Sequence, residues 1–343
     1  MSFIKSSLLR LVLRPQFPAL LRHVQRDCAT IFMLHRFTDA DHSIAGYDAA
    51  HLRSALAYLR ERRIEVVDLL ELFRRLESGE KQPRGAVAFT LDDGYAEQAA
   101  IAAPAFSEFD CPVTAFVTTG FLDGKLWLWW DQIEHVFETT RRHALRVRID
   151  DDFHTYAIED RQQRDAAKAH FTHACKRVPD IEKHAAIARL AYAAEVALPL
   201  SPPRRYAAMS WDQARECERM GMSFGPHTVT HPVLSRTEQH LMEEEITASM
   251  ARLTEELRNP VPIFCYPNGL WEDFGVREIA VLRREGFIGA VVAEPGYANA
   301  REYRSGADNR YKVRRFPFPE ALPYVIQYVT GVERLKQVFR RTT

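Results

Sequence analysis

The chain of 343 residues has no paired cysteines, no excess of either charge and no long apolar run. Its five cysteines stand singly at 28, 111, 175, 217 and 265, and none forms a C-x-x-C pair. An odd, scattered set argues against a disulfide framework. Cys111 and Cys265 sit in strand-like runs and read as small buried hydrophobes. The 46 basic and 46 acidic residues cancel. A nucleic-acid partner would call for a basic excess or stripe, so none is expected. No run approaches the roughly 20 apolar residues that span a bilayer. The N-terminal MSFIKSSLLRLVLRPQFPALLRHVQRD is interrupted by Arg10 and Arg14, and it offers no clear apolar core or cleavage site of a secretory signal. A cytoplasmic protein is expected. Its basic, apolar N-terminal helix either packs on its own domain or lies peripherally on the inner membrane face.

What is present is an ordinary globular composition, 46% hydrophobic and 27% charged, and an alternation of strand and helix. Apolar or β-branched runs at Ala29–Leu34, Glu65–Asp68, Ala86–Leu91 and Val113–Thr118 read as strands. Between them His51–Arg60, Leu69–Glu77 and Tyr95–Phe109 carry helical periodicity. The alternation stops over 127–206, where Asp131 with Glu134 can cap a helix and Arg161–Val178 and Ile181–Leu198 are Ala-rich helical stretches. It resumes with a capping box at Ser210 and Gln213, a strand at Met222–Gly225, and a long helix opening at Ser235 with Glu238. Ile263–Tyr266 and Phe287–Ala293 are further strands around a helix at Val276–Arg284. Repeated βα units imply one α/β domain over 1–343, with a parallel sheet, open or closed into a barrel, and a mostly helical insertion at 127–206. In either form the chemistry gathers at the carboxyl ends of the strands.

Two clusters lie there. Asp92 and Asp93 follow the strand run A-V-A-F-T-L. Taken alone, D-D-G reads equally well as a solvated turn. His227 and His231 sit in G-P-H-T-V-T-H-P, where two prolines and three β-branched residues favour a curled loop over a helix. Their four-residue spacing is one that zinc sites use. An Asp-His-His set with open positions suits a catalytic divalent ion, and the remaining aspartate is then free to act as a base.

T-L-D-D-G at 90–94 resembles the T-F-D-D-G motif of the polysaccharide deacetylases, the NodB-homology family also grouped as carbohydrate esterase family four. H-T-V-T-H at 227–231 is similar to that family's H-[ST]-x-x-H, and Y-P-N-G at 266–269 to a Y-P-x-G form of its third motif. The resemblance covers roughly 28–125 and 207–320 and leaves out the insertion. It implies a distorted (β/α) barrel with fewer than eight clean units and hydrolysis of an N-acetyl group on a sugar. Asp92 is then the general base, and Asp93, His227 and His231 hold one divalent ion, zinc by its donor set. Tyr266, Pro267 and Asn268 are expected on the substrate side.

Three departures stand out. Leu91 replaces the usual Phe, the third motif lacks an arginine that orients the base, and no C-terminal L-x-H supplies the acid, since no histidine follows His240. M-L-H-R-F at 33–37 resembles the early histidine segment of the poly-N-acetylglucosamine deacetylase branch, which implies His35 as the acid. Arg314 or Arg315 is the candidate for the missing arginine. Trp127, Trp129 and Trp130 either line a sugar groove or seal the insertion core, and Trp129 is taken as the substrate contact. Rival readings are an amidohydrolase or esterase on a non-sugar or O-acetyl substrate, a catalytically inactive sugar binder, and a structural zinc protein. The last is disfavoured because structural sites close with four ligands and favour cysteine.

Overall fold

The structure, a computed structural model, describes residues 27–79 and 85–335. The N-terminal segment expected to form a basic helix lies outside the described residues. No helix among those described is long and apolar enough to cross a membrane.

Strand β1 (Cys28–Leu34) is followed by α1 (Ala49–Glu61) and α2 (Leu69–Ser78). Helix α2 shows why such segments fold as they do. Asp68 accepts hydrogen bonds from Leu70 N and Glu71 N, Leu69, Leu72, Phe73 and Leu76 form one buried stripe, and Gly79 ends the helix at φ 76°. Of the strand that the sequence suggested at Glu65–Asp68, only an isolated bridge from Val66 to Val87 forms, and Asp68 serves as the helix cap. Next come β2 (Val87–Asp93), a π turn at Gln98–Ala102 running into α3 (Ala103–Glu108), β3 (Val113–Val117) and the short α4 (Thr119–Leu122).

The 127–206 region holds α5 (Trp129–Thr139), α6 (Arg161–Cys175) and α7 (Asp180–Ala193). It also holds an antiparallel hairpin, β4 (Ala144–Ile149) and β5 (Asp152–Ala157), that the helical expectation missed. The signal was there: A-L-R-V-R-I alternates, with Leu145, Val147 and Ile149 buried. Asp131 does not cap α5; it lies in the first turn, buried, after an N-cap at Leu128. The insertion has its own core, from Trp129, Ile133 and Phe137 through the hairpin to Phe171 and Leu190.

The barrel resumes with α8 (Trp211–Arg219), which has the expected Ser210–Gln213 capping box, then β6 (Met222–Pro226). Helix α9 (Gln239–Glu256) starts four residues later than its sequence signal, because the Ser235 hydroxyl donates to Glu272 O and a 3₁₀ turn occupies Leu234–Arg236. β7 (Ile263–Cys265), α10 (Val276–Arg284), β8 (Gly289–Val292), β9 (Ala298–Asn299), α11 (Ala300–Arg304), β10 (Val313–Arg314), β11 (Phe316–Pro317) and α12 (Leu322–Val329) complete the chain.

Five parallel strands run β11-β1-β2-β3-β6, with β9 antiparallel beside β1, and a second parallel set runs β10-β8-β7. One seam between them is bridged by Val261 N donating to Phe224 O at 2.7 Å. At the other, the chain passes from β10 to β11 through the single residue Arg315. The result is the distorted (β/α) barrel. Alternation sorts the side chains: Ile31, Ala88, Phe116, Ile263, Cys265, Val291 and Val313 share one cluster, while Phe32, Leu34, Val87, Phe89 and Leu91 pack with α1 and α3 in another.

Candidate active site

By strand parity, Asp92 continues the row Ala88–Thr90, and Asp93 belongs to the opposite row. Both lie inside β2, not after it, opposite Phe116 and Val117 of β3. Asp93 takes φ 81°, and Gly94 follows at φ 95°. This left-handed pair curls the strand end, so both carboxylates reach one pocket. Gly94 also fits only as glycine, since a Cβ there would come within 2.6 Å of Leu122 Cδ1.

Arg315 is 1% exposed and grips Asp92 with both arms of its guanidinium, Nη1 to Oδ1 at 2.7 Å and Nη2 to Oδ2 at 2.8 Å. It therefore stands where the third motif lacks an arginine. Arg314 points elsewhere, toward Glu302. Burial pushes the Asp92 carboxyl up, but Arg315 and His35 outweigh it and hold it down at about 2. Asp93 has no such partner. Burial, with Asp92 and Asp131 nearby, raises its pKa well above the ordinary range. Two adjacent carboxyls are thus driven apart in character, the pattern by which distinct roles are recognised.

Asp93 Oδ1 lies 3.6 Å from His227 Nε2 and 3.6 Å from His231 Nε2, and the two nitrogens are 3.1 Å apart. His227 Nδ1 donates to Cys265 O at 2.8 Å, which leaves its Nε2 as a bare lone pair facing this group. Desolvation pushes His227 down to about 4 and His231 well below its usual value, so both rings are neutral at pH 7. With Asp93 ionised and His231 Nε2 unprotonated, three acceptors would converge in one buried space, and a cation among them would satisfy all three. These three groups fit a divalent ion. A second set, Asp92, His227 and Cys265, is also compact. It fits poorly, because Arg315 already holds Asp92 and donates to Cys265 Sγ at 3.2 Å, while burial keeps that thiol protonated.

The His227–His231 loop takes positive φ at Thr228 (67°) and His231 (61°). Glu245 of α9 secures it: Val229 N and Thr230 N donate to Oε2 at 2.8 and 2.9 Å, and Thr230 Oγ1 donates to Oε1 at 2.6 Å. His35 follows β1 directly, its Nε2 3.8 Å from Asp92 Oδ2 and its side chain 43% exposed toward the cleft. Desolvation lowers its pKa. Gln98 ties these two segments, donating to His35 O at 2.7 Å and Asp92 O at 2.5 Å. That bridge sits at the start of the π turn, a distortion common at functional sites.

Around this centre is a cavity of about 420 Å³ lined by His35, Asp92, Asp93, His227, His231, Tyr266 and Asn268, with Trp129, Trp130, Thr172 and Lys176 from the insertion. Pro267 sits in the same turn between two lining residues. Trp129 serves both readings, sealing the insertion core and lining the pocket. Trp130 packs edge-on against His231 with ring centroids 4.6 Å apart, and Trp127 is core. Trp130 Nε1 donates to Tyr95 Oη, which donates to Asp131 Oδ2 at 2.8 Å, and burial pushes Asp131 up to about 7. The sequence reading gave no role to Arg36, which lies over the Tyr95 ring and pairs with Glu97, nor to Glu245 or Gln98.

Residues 191–282 match the family model for polysaccharide deacetylase, a span holding His227, His231 and the Y-P-N-G turn. Over that stretch the chain is similar to the polysaccharide deacetylases. Solved structures share its fold. The Streptococcus pyogenes deacetylase PplD is 15% identical with a TM-score of 0.58, over 89% of this chain and 99% of that one. IcaB from Ammonifex degensii is 18% identical with a TM-score of 0.54, over 89% and 98%. The BpsB deacetylase domain from Bordetella bronchiseptica is 13% identical with a TM-score of 0.50, over 84% and 97%. No curated protein sequence matches the chain.

Proposed function

We propose that this chain is a polysaccharide deacetylase that removes the N-acetyl group of a sugar by a divalent-metal-dependent hydrolysis, with Asp92 as base and His35 as acid. The observation that carries the reading is the split between neighbours: Asp92 locked as a carboxylate by Arg315, Asp93 left to face two neutral imidazoles. Asp93, His227 and His231 would hold the ion. When bound, a divalent ion such as zinc acidifies water and polarises a carbonyl.

The chain's own residues do the rest. Arg315 aims Asp92 and keeps it ionised, so Oδ2 can accept a proton from the attacking water. His35 is uncharged in the resting pocket and lies 3.8 Å from that oxygen. It receives the proton and passes it to the departing amine, and acetate and a free amino sugar leave. The Tyr266 N–H is only weakly engaged, 3.5 Å from Val291 O, and is a candidate donor to the developing oxyanion. Tyr266 Oη, Asn268 Nδ2 and Trp129 Nε1 belong to pocket-lining residues and have no partner among the described residues, which supports their use by a polar ligand. The cytoplasmic, inner-membrane setting read from the N-terminal stretch is part of the same proposal.

The test is acetate release from N-acetylated sugars, with and without chelator and added zinc. Release that chelator abolishes and zinc restores is the expected result. Asp92→Asn should lower kcat by about a hundred- to ten-thousand-fold, the usual worth of acid–base catalysis, while leaving bound metal in place. Metal-loaded protein that releases acetate from O-acetyl or non-sugar substrates but from no N-acetyl sugar would overturn the substrate assignment.

A further inference from the structure

Lys176 caps the carboxyl end of α6, and with Thr172 one turn earlier it lines the catalytic pocket beside Trp129 and Trp130 of the same insertion. A cation at a helix carboxyl end is favoured by the dipole. That accounts for a lysine there, not for its place in the pocket wall. The other cations nearby are matched: Arg315 by Asp92, Arg36 by Glu97, and the buried Lys183 by Asp180. Lys176 feels the field of Asp273 but makes no ion pair or side-chain hydrogen bond among the described residues. It is a half-buried amine whose acidic neighbour acts only at a distance. Two further lining residues carry donors without acceptors, Trp129 at Nε1 and Asn268 at Nδ2. The unfilled groups of this pocket thus lean toward donors, and they call for a ligand rich in acceptors. The cavity of about 420 Å³ lies within the range of small-molecule sites, about 300–1,000 Å³.

We infer that the sugar deacetylated here carries an oxyanion, a phosphate ester or a carboxylate, which Lys176 binds beside the catalytic carboxylates. The inference rests on the deacetylase reading above and sharpens its substrate class. The inserted helices then have a purpose in specificity: they carry a cation without an ion-pair partner among the described residues, where the barrel's Arg36 and Arg315 are already paired.

The experiment uses the zinc-loaded full chain. Acetate release is measured from N-acetylglucosamine, its 6-phosphate and 1-phosphate, and N-acetylglucosaminuronate, on the wild type and on Lys176→Met and Lys176→Arg. Binding of glucosamine and glucosamine 6-phosphate is measured in parallel by calorimetry. At least one charged sugar should exceed the neutral one in kcat/KM by about ten- to a hundredfold, the worth of a charged hydrogen bond. Lys176→Met should bring that ratio close to one, and Lys176→Arg should restore part of it. The phosphate and uronate arms identify which oxyanion is read. Equal use of neutral and charged sugars, or a preference that survives in Lys176→Met, overturns the inference. Turnover without charge preference sinks the Lys176 assignment alone. Charge-selective product binding that Lys176→Met abolishes, with no acetate from any sugar, sinks the deacetylase reading and keeps the anion site.

Discussion

At the scale of single residues, function turns on how one arginine treats one aspartate. A buried carboxylate without a partner is destabilising by several kcal/mol, and removing one member of a buried pair typically costs about 3–5 kcal/mol. Arg315 therefore stabilises the site and, in the proposed mechanism, would hold Asp92 as its base. Its guanidinium favours the ionised form of Asp92, so weakening the grip must let the proton on at higher pH. Arg315→Lys keeps the charge and loses the two-pronged geometry. The acid limb of kcat/KM should shift upward in pH, with peak activity down roughly tenfold; an acid limb that stays in place would exclude this role. In the sequence, Arg314 and Arg315 look alike. Parity could have separated them, because Arg315 shares its face with the buried Val313. Only the distances decide it.

At the scale of elements, two segments that carry candidate site residues are braced by a residue from another element. Gln98 of the π turn bridges the strand ends that carry His35 and Asp92. Glu245 of α9 holds the His227–His231 loop by three hydrogen bonds against two positive-φ residues. Outer-shell partners of metal ligands typically affect affinity by about 10–100-fold. Glu245→Ala should weaken zinc binding by that order, read by competition with a chelating dye, while Glu245→Gln retains part of it. Zinc affinity equal to wild type in Glu245→Ala would show that the loop holds itself. No local pattern marked either brace, since a glutamate on a long amphipathic helix looks like solvated surface. The hairpin of the insertion differs: its alternation was legible and was overshadowed by the Ala-rich helices around it.

At the scale of the whole molecule, the barrel is split into two strand sets, and the residues gathered at the candidate site come from both sides of the splits. Asp92 and Asp93 belong to the larger set, Cys265 to the smaller, and Arg315 to the crossing between them. An ion held, as proposed, by Asp93 and the two loop histidines would be linked to the closure of the barrel, because folding must bring these segments together to form the site. Ligand that binds only the native state stabilises it, by about 2.7 kcal/mol at a hundredfold excess over Kd. Thermal unfolding of the zinc-loaded protein should therefore begin lower when chelator is added, by roughly 5 °C. An unchanged midpoint would mean that the three groups do not share an ion in solution.

The sequence by itself determined the βα succession, the strand ends at which chemistry collects, and the pairs Asp92–Asp93 and His227–His231. These depend on periodicity and on neighbours a few residues apart, which a linear chain displays. The tertiary structure alone decided that Arg315 and not Arg314 clamps Asp92, that Asp131 is buried under Tyr95 instead of capping a helix, and that Lys176 faces the pocket. Those outcomes depend on contacts between residues 36 to more than 200 positions apart, where direction and burial, not local pattern, set which side chain meets which.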